Sequence, residues 1–259
     1  MDARRIAVTG ATGRVGHHVV ELLAAQGHET VPIARAAGVD VITGEGLDAA
    51  LAGVDTIVDA ATGPSPDQEA ATAFFTTSAR NVLEAGERAG VRRLVLVSII
   101  GVDRFHGGYM AAKLAQERAL LAGSIPTRIV RAAQFHEFVG QLLEWGRQGD
   151  VVYVPRMQTQ LVAARAAAQG LVDLATAPDD AFAGPSADAP IVELGGPRAE
   201  HLAEVAELVV ARRGNGLRVQ EVQDERDPDA PLFAGGAALP GPGAILAGPT
   251  FAEWLETAA

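Results

Sequence analysis

The sequence contains no cysteine, which excludes disulfide bonds, thiolate catalysis and cysteine-ligated zinc or iron–sulfur centres. Positive charge is also scarce: the formal net charge at pH 7 is −11, and the basic residues occur singly or in pairs. We therefore expect neither nucleic acid nor an anionic membrane surface as a partner. Apolar runs such as "RLVLVSIIGV" at 93–102 are shorter than the ~18 residues that a membrane-spanning helix needs.

Two further absences concern targeting and metals. The opening "MDARRIAVTG" passes from charge into an apolar run that is too short for the core of a signal peptide, so we predict a soluble cytoplasmic protein. Since no pair of histidines has metal-ligand spacing together with a carboxylate, we predict no metal site. The length of 259 residues fits one large α/β domain, or one domain with a small appendage, and leaves monomer and homodimer both open.

What the sequence does contain is an alternation of short apolar runs with helical stretches over residues 1–135. The predicted strands cover 5–10, 29–35, 55–61, 92–100 and the opening of 126–135, and the predicted helices cover 14–27, 47–54, 67–89 and 109–122. Such alternation is typical of a doubly wound parallel sheet covered by helices on both faces. The run at 92–100 is the most apolar, so we expect it to be the central strand.

One segment breaks this pattern. Residues 39–44, "VDVITG", have the composition of a short edge strand, but only three residues separate them from the preceding strand. A parallel crossover normally needs about a dozen residues or more. Either the connecting helix has been lost or residues 39–44 do not form a strand.

After residue 135 the pattern is looser. We predict helices near 136–147, 162–177 and 199–213, strands at 150–155 and 190–196, and one or two amphipathic turns in "FAEWLET". Residues 228–250 are rich in glycine and proline and are predicted to be a loop, either a lid or an ordinary surface segment.

A glycine-rich turn directly follows the first predicted strand and opens the first predicted helix. It runs Gly10-Ala11-Thr12-Gly13-Arg14-Val15-Gly16, with the spacing G-x-x-G-x-x-G. Glycines allow a tight turn and let backbone N–H groups approach a pyrophosphate, while the helix N-terminus adds partial positive charge. The position of the turn favours dinucleotide binding over the simpler interpretation of a glycine-rich helix start.

The end of the second predicted strand bears on which dinucleotide is bound. An acidic residue there would bind the ribose 2′-hydroxyl of NAD, but the strand ends Ile33-Ala34-Arg35 and the next acid is Asp40. Arg35 is suited to pairing with a 2′-phosphate, and Arg14 offers a second cation. The two arginines and the missing acid favour NADP(H) over NAD(H). The alternative is that Arg35 is only a solvated surface cation.

Residues 106–113, "HGGYMAAK", place Tyr109 four positions before Lys113 at the start of a predicted helix, so the two side chains share a face. A nearby ammonium lowers the pKa of a phenol toward the range useful for acid–base work. Ser98 ends the apolar strand at the edge of the sheet where ligands of doubly wound proteins bind. A proton donor, a cation that tunes it and a hydroxyl that orients the substrate are the groups that hydride transfer needs.

Together these motifs resemble the short-chain dehydrogenase/reductase superfamily, and more narrowly its atypical, NmrA-like members. The matching segments are "TGATGRVG" (9–16), "AGVRRLVLVSIIGVDR" (89–104), "GYMAAKLAQERAL" (108–120) and "TRIVRAAQFHEF" (127–138). The resemblance implies a catalytic set of Ser98, Tyr109 and Lys113, with Lys113 also binding the nicotinamide ribose. It also implies that the adenine side of the cofactor contacts Ala60, Ala61 and Thr62. Gln134 and Phe135 are implied to lie near the nicotinamide.

From these features we predict an NAD(P)-binding Rossmann domain over 1–135 and a substrate-binding region over 136–259 that is interleaved with it. The predicted function is NAD(P)H-dependent reduction of a small carbonyl or quinone-like molecule. The alternative is a non-catalytic NADP(H)-binding redox sensor, because the NmrA-like proteins that the sequence resembles include members that only sense NADP. Nucleotide-sugar epimerase or dehydratase chemistry is disfavoured because the C-terminal region is short.

Overall fold

The computed structural model describes residues 3–179, 182 and 189–257. The strands are β1 (Arg5–Thr9), β2 (Glu29–Ile33), β3 (Thr56–Asp59), β4 (Arg93–Ile99), β5 (Thr127–Ala132), β6 (Arg147–Gln148), β7 (Val151–Pro155), β8 (Gln158–Thr159), β9 (Ile191–Gly195), β10 (Glu200–His201), β11 (Arg218–Val222) and β12 (Ile245–Leu246). The helices are α1 (Gly16–Ala25), α2 (Leu47–Leu51), α3 (Gln68–Ala89), α4 (Gly108–Leu121), α5 (His136–Trp145), α6 (Ala164–Thr176), α7 (Leu202–Arg213), α8 (Ala230–Ala234) and α9 (Phe251–Thr257).

A parallel sheet of seven strands organises the fold, in the order β12-β9-β5-β4-β3-β1-β2. This confirms the predicted doubly wound α/β architecture, and β4 is the central strand, as its apolar sequence predicted. From β1 the chain adds β2 on one side and then β3 on the other. The carboxyl ends of β1 and β3 are therefore the point at which the winding reverses, where proteins of this architecture bind their ligands.

The apolar sequences of the central strands explain why these strands lie in the core of the protein. Ile6, Ala7 and Val8 of β1 and Leu94, Val95 and Leu96 of β4 are completely buried, because helices cover both faces of a parallel sheet. Helix α3 starts where the Asp67 side chain accepts a hydrogen bond from the backbone N–H of Ala70. It ends at Gly90, whose φ of +75° is the left-handed conformation typical of a helix stop.

Residues 39–44 do not form a strand, so that interpretation was wrong. A short 3₁₀ turn at Arg35–Ala37 follows β2, and a series of turns then leads to α2. The Asp40 carboxylate accepts a hydrogen bond of 2.7 Å from the backbone N–H of Ile42, which fixes a turn where extended backbone was expected. Asn81 of α3 donates from its side-chain amide to the carbonyls of Val41 and Ile42. Helix α2 is also shorter than predicted and stops at Leu51.

The elements predicted after residue 135 are present, with additions. Strand β11 was missed because its residues alternate between partly exposed and exposed and carry little apolar signal. It pairs with β7 in a sheet of order β11-β7-β6, and β8 pairs with β10. The glycine- and proline-rich segment 228–250 is loop for most of its length but includes α8 and β12.

Contacts within the chain define two compact units, each assembled from separate segments. The first comprises Met1–Ser98, Gly107–Arg131 and Ala167–Val192, and the second comprises Ile99–His106, Ala132–Ala166 and Glu193–Ala259. An apolar core that includes Ile33, Ile57, Leu96 and Ile129 lies within the first unit. The second unit has its own core of residues from α5, β7, α7 and α9. The functional division at residue 135 stays a prediction. No helix in the described part of the chain is both long and apolar enough to span a bilayer.

Candidate active site

The glycine turn at 10–16 is packed tightly against the end of β3. Gly10 has a φ of +63°, and a Cβ at that position would lie 2.6 Å from the carbonyl oxygen of Ala60. A Cβ on Gly16 would collide with the carbonyl oxygen of Gly10, while the N–H of Gly13 donates to that oxygen at 2.8 Å. The loops that follow β1 and β3 therefore touch, and the predicted residues of the turn meet Ala60 and Ala61.

The start of α1 has the features of an anion site. Val15, the N-cap residue, makes no side-chain cap, and no acidic residue lies in the first turn of the helix. The first N–H groups of a helix lack partners within it and carry partial positive charge. Arg14 is exposed beside them. Backbone N–H groups at a helix start whose first turn contains no acid suit a pyrophosphate, so this end of the first unit fits a dinucleotide.

Arg35 lies just after β2, where proteins of this architecture have the residue that contacts the 2′ position of the cofactor ribose. It is exposed and is the first residue of the 3₁₀ turn after β2. Asp40, the next acid in the sequence, accepts hydrogen bonds from the backbone of its own turn. These positions agree with a cationic ribose pocket, and the preference for NADP(H) stays a prediction.

Tyr109 opens α4 and is held in place by two contacts. Its Oη lies 2.8 Å from Oγ1 of Thr62, and its ring meets the Phe75 ring edge to face with centroids 5.5 Å apart. Burial raises the pKa of Tyr109 above its ordinary value, and the hydrogen bond with Thr62 acts in the opposite direction. Lys113 is not among the causes of this shift, so its lowering of the pKa of the phenol stays a prediction. Thr62, expected near the adenine, here holds the phenol.

Lys113 is the only lysine in the sequence, and it is buried, with 5% of its surface exposed. Its ammonium donates to the carbonyl of Val97 at 2.8 Å and to Oε1 of Gln116 at 2.6 Å. It also lies 4.7 Å from the centroid of the Phe75 ring. Burial lowers the pKa of Lys113 to about 8, although the negative charges of Asp59 and Glu117 oppose this shift.

Ser98 is buried on β4, next in sequence to the Val97 carbonyl that receives the lysine. Within the described part of the chain its hydroxyl has no hydrogen-bond partner. Buried polar groups are nearly always paired, so an unpaired hydroxyl at this edge of the sheet is suited to a ligand oxygen. Ser98, Tyr109 and Lys113 thus all belong to the first unit, and Phe75 contacts the last two.

Three functional candidates were missed from the sequence: Asp59, Phe75 and Gln116. The Asp59 carboxylate is completely buried and accepts hydrogen bonds from Thr9 Oγ1, the Ala61 N–H and Gln116 Nε2. The acid that directly follows the apolar pair Ile57-Val58 was the available signal for it. Val97 and Phe75, which also contact Lys113, come from distant segments and no local spacing marked them, whereas Gln116 lies three residues after Lys113 on the same helix and was overlooked.

Gln134 and Phe135 belong to the second unit, where they connect β5 to α5. The Gln134 side-chain oxygen accepts a hydrogen bond of 2.8 Å from Thr159 Oγ1. Phe135 forms an isolated bridge with Val162. Their expected place near a nicotinamide stays a prediction.

Comparison with known protein families identifies the class of ligand. A family profile described as NAD(P)H-binding matches residues 10–173. The chain is 28% identical over 193 residues to human sterol-4-alpha-carboxylate 3-dehydrogenase, decarboxylating, covering 59% of this chain and 52% of that protein. It is 25% identical over 244 residues to the photosystem II assembly factor Ycf39 of Synechocystis sp., covering 84% of this chain and 70% of that one.

Among solved structures, dTDP-4-dehydrorhamnose reductase from Bacillus anthracis in complex with NADP superimposes with a TM-score of 0.70. The alignment covers 99% of this chain and 98% of that one at 18% identity, which supports the fold alone. The chain spans about half the length of the human relative, so the activity of that whole protein does not transfer to this one.

Proposed function

The chain belongs to the NAD(P)H-binding family, and from this premise we propose that it is an NAD(P)H-dependent oxidoreductase that reduces a small carbonyl or quinone-like molecule. One hydrogen bond carries the proposal: Tyr109 Oη lies 2.8 Å from Thr62, which follows the same strand whose end packs on the glycine turn. A phenol held beside a dinucleotide cradle is the arrangement that coupled hydride and proton transfer requires.

In this proposal the backbone N–H groups of the turn at 10–16 bind the pyrophosphate, with Ala60 and Ala61 on the adenine side. Arg35 and Arg14 bind a 2′-phosphate, which makes NADP(H) the preferred cofactor. Lys113 binds the nicotinamide ribose, and Gln134 and Phe135 lie near the nicotinamide. When bound, the reduced nicotinamide supplies a hydride.

The proton comes from Tyr109. Because burial raises the pKa of its phenol, Tyr109 stays protonated at neutral pH and acts as the acid. Ser98 donates a hydrogen bond that orients the oxygen of a bound carbonyl. As the carbonyl carbon gains the hydride, Tyr109 Oη gives its proton to that oxygen, and the product is an alcohol. The Thr62 hydroxyl then donates to the phenolate until solvent returns the proton.

The test is calorimetric titration with NADPH and NADH, followed by the oxidation of NADPH at 340 nm with a panel of aldehydes, ketones and quinones. We expect turnover with at least one of these compounds, and a loss of about 10²-fold or more in Tyr109→Phe, the scale of general acid catalysis. Tyr153→Phe, at the only other tyrosine, is the matched control and should retain activity. Undiminished turnover in Tyr109→Phe would remove the mechanism.

A non-catalytic NADP(H)-binding redox sensor is the second candidate. The observation in its favour is that the ammonium of Lys113 is hydrogen-bonded to Val97 and Gln116 rather than to the phenol. A sensor would bind NADPH and NADP⁺ without turnover of any compound in the panel, and its affinity for a partner protein would differ between the two nucleotides.

A further inference from the structure

Three buried polar side chains form a continuous chain of hydrogen bonds inside the first unit. Asp59 and Gln116 are completely buried and Lys113 nearly so. Gln116 Nε2 donates to Asp59 Oδ2 at 3.0 Å, and Gln116 Oε1 accepts from the Lys113 ammonium at 2.6 Å. The other carboxylate oxygen, Asp59 Oδ1, accepts from Thr9, the last residue before the glycine turn.

The direction of these bonds explains why an amide lies in the middle. A lysine ammonium only donates hydrogen bonds and an ionised carboxylate only accepts them. The side chain between them must accept on one side and donate on the other, which a glutamine does at once. Since a buried polar group without a partner is strongly unfavourable, the order lysine, amide, carboxylate is the arrangement that satisfies all three groups.

We propose that Asp59 and Gln116 are positioning residues for Lys113, which fix the place and the charge of its ammonium and couple it to Thr9, the residue that precedes the glycine turn. The proposal rests on the function above, in which that ammonium binds the cofactor ribose. Neither residue touches the cofactor in this scheme; both act through the lysine.

The charges around Lys113 single out Asp59. Two carboxylates act on the ammonium electrostatically: Asp59 on β3 and Glu117 on its own helix. The ammonium also lies over the ring of Phe75 on α3 and donates a hydrogen bond to the carbonyl of Val97 on β4. The Glu117 carboxylate is already paired with Arg131 through hydrogen bonds of 3.0 and 2.7 Å. Asp59 is therefore the carboxylate whose charge is left to stabilise the ammonium against the burial that lowers its pKa.

A reversal of the hydrogen-bond polarity tests the proposal. In Asp59→Asn the charge is lost and two amide N–H groups meet. In Gln116→Glu the carboxyl group at position 116 faces that of Asp59 at hydrogen-bond distance, so the two groups must share a proton to avoid repulsion. The double variant Asp59→Asn/Gln116→Glu keeps the total charge and restores every bond. Its amide at position 59 would accept from Thr9 and donate to the carboxylate at position 116, and that carboxylate would accept from Lys113.

Because Lys113 is the only lysine, protein labelled with lysine ¹³C at Cε gives one resonance whose pH titration reports this group alone. We expect Asp59→Asn to lower its midpoint by about one pH unit or more, and the double variant to titrate at or above the wild-type midpoint. Calorimetry on the same samples should give a Kd for NADPH at pH 7 that rises about 10–100-fold in Asp59→Asn, the range found for residues that support metal ligands, and that recovers in the double variant.

The Gln116→Glu variant adds a pH signature. Its NADPH affinity should fall more steeply than that of the wild type as pH rises, because the shared proton is lost, while the double variant should follow the wild-type profile. Variants that lose thermal stability but keep the wild-type lysine midpoint and NADPH profile would overturn the positioning role. Wild-type protein that binds neither NADPH nor NADH would instead overturn the proposed function, and the lysine titration would still decide whether Asp59 and Gln116 control Lys113.

Discussion

Gly10 and Ala60 meet where two neighbouring parallel strands end, so closely that a methyl group on Gly10 would lie 2.6 Å from the carbonyl oxygen of Ala60. Gly10 also has a φ of +63°, which residues with a Cβ rarely adopt. Two independent constraints thus fall on one residue at the point where the sheet reverses its winding. The contact makes the geometry of the nucleotide cradle depend on how the first strand leaves the sheet.

Replacing Gly10 by alanine should therefore lower the free energy of unfolding and weaken nucleotide binding together. Gly27→Ala is the matched control, because Gly27 has a φ of +82° but nothing within 4 Å of its would-be Cβ. The backbone strain of about 1–2 kcal/mol is common to both variants, and the clash should add about 1–3 kcal/mol for Gly10 alone. Urea unfolding and NADPH titration of both proteins measure this difference, and equal losses of stability would contradict the close approach.

The ion pair between Glu117 and Arg131 gives a second prediction about stability. Both side chains are at least nine-tenths buried and are joined by two hydrogen bonds of 3.0 and 2.7 Å. Arg131→Met leaves the Glu117 charge buried without its partner and should cost about 3–5 kcal/mol of unfolding free energy. The double variant Glu117→Leu/Arg131→Met removes both charges and should recover most of that loss.

An exposed pair on the same protein is the control for this experiment. Arg88 and Asp48 are 58% and 70% exposed, so solvent screens their attraction, and Arg88→Ala should change the unfolding free energy by less than about 1 kcal/mol. Denaturant titrations at one pH compare the four proteins. A small effect of Arg131→Met, similar to that of Arg88→Ala, would show that Glu117 is not left as an uncompensated buried charge when its partner is removed.

The burial of His136 leads to a prediction of how the free energy of unfolding depends on pH. It is completely buried, its Nε2 contacts the carbonyl of Leu161, and burial lowers its pKa from 6.5 to about 4. Since the unfolded state takes up the proton first, the stability that this residue contributes is complete above pH 6.5 and is lost as pH falls toward 4. The loss should be at most about 1.4 kcal/mol per pH unit and about 3 kcal/mol in all.

The measurement is the unfolding free energy of wild type and His136→Gln between pH 7.5 and 4.5, where their difference isolates this group from other titrating residues. The variant should show a flatter decline toward acid pH, whatever its stability at neutral pH. His201→Gln, the same substitution at an exposed position, is the matched control. Parallel slopes for wild type and His136→Gln would contradict the burial of a neutral imidazole.

The fold was largely predictable because its central strands are buried on both faces. Such strands, of which β4 is an example, are short and almost continuously apolar, so they can be recognised in the sequence between the helical stretches. Prediction failed where side chains override the local pattern. Residues 39–44 have strand-forming composition, but Asp40 binds its own turn and Asn81, forty residues away, holds the backbone of Val41. No local signal contains that second contact.

The same distinction separates the predicted from the missed parts of the site. The glycine turn was predicted because its function lies in the backbone, which glycine spacing reports directly. The spacing of Tyr109 and Lys113 placed them on one face of a helix but did not give the direction of a long, flexible side chain. Contacts with Val97, Gln116 and Phe75 decide that direction, and a short-range pattern contains only Gln116, three residues along the same helix.

The last prediction concerns the choice between NADPH and NADH. Arg35 is exposed at the start of the turn after β2, and the nearest acid that follows it, Asp40, is engaged with its own backbone. A guanidinium at this position pairs its charge with that of a 2′-phosphate through charge-assisted hydrogen bonds, each of about 1.5–3 kcal/mol, whereas a 2′-hydroxyl carries no charge to pair with it. Arg35→Ala should therefore raise the Kd for NADPH about 10–100-fold and leave that for NADH within about twofold.

Two further variants make this experiment decisive. Arg14→Ala, in the glycine turn, should weaken NADPH less than Arg35→Ala does if Arg14 is the secondary cation, and Arg88→Ala removes a charge far along the sequence to control for net charge. Calorimetry at two ionic strengths should show that the Arg35 effect shrinks as salt screens the pair, because the contact lies at the protein surface. Equal weakening of NADPH and NADH by Arg35→Ala would show that Arg35 does not bind the 2′-phosphate and that the cofactor preference has another source.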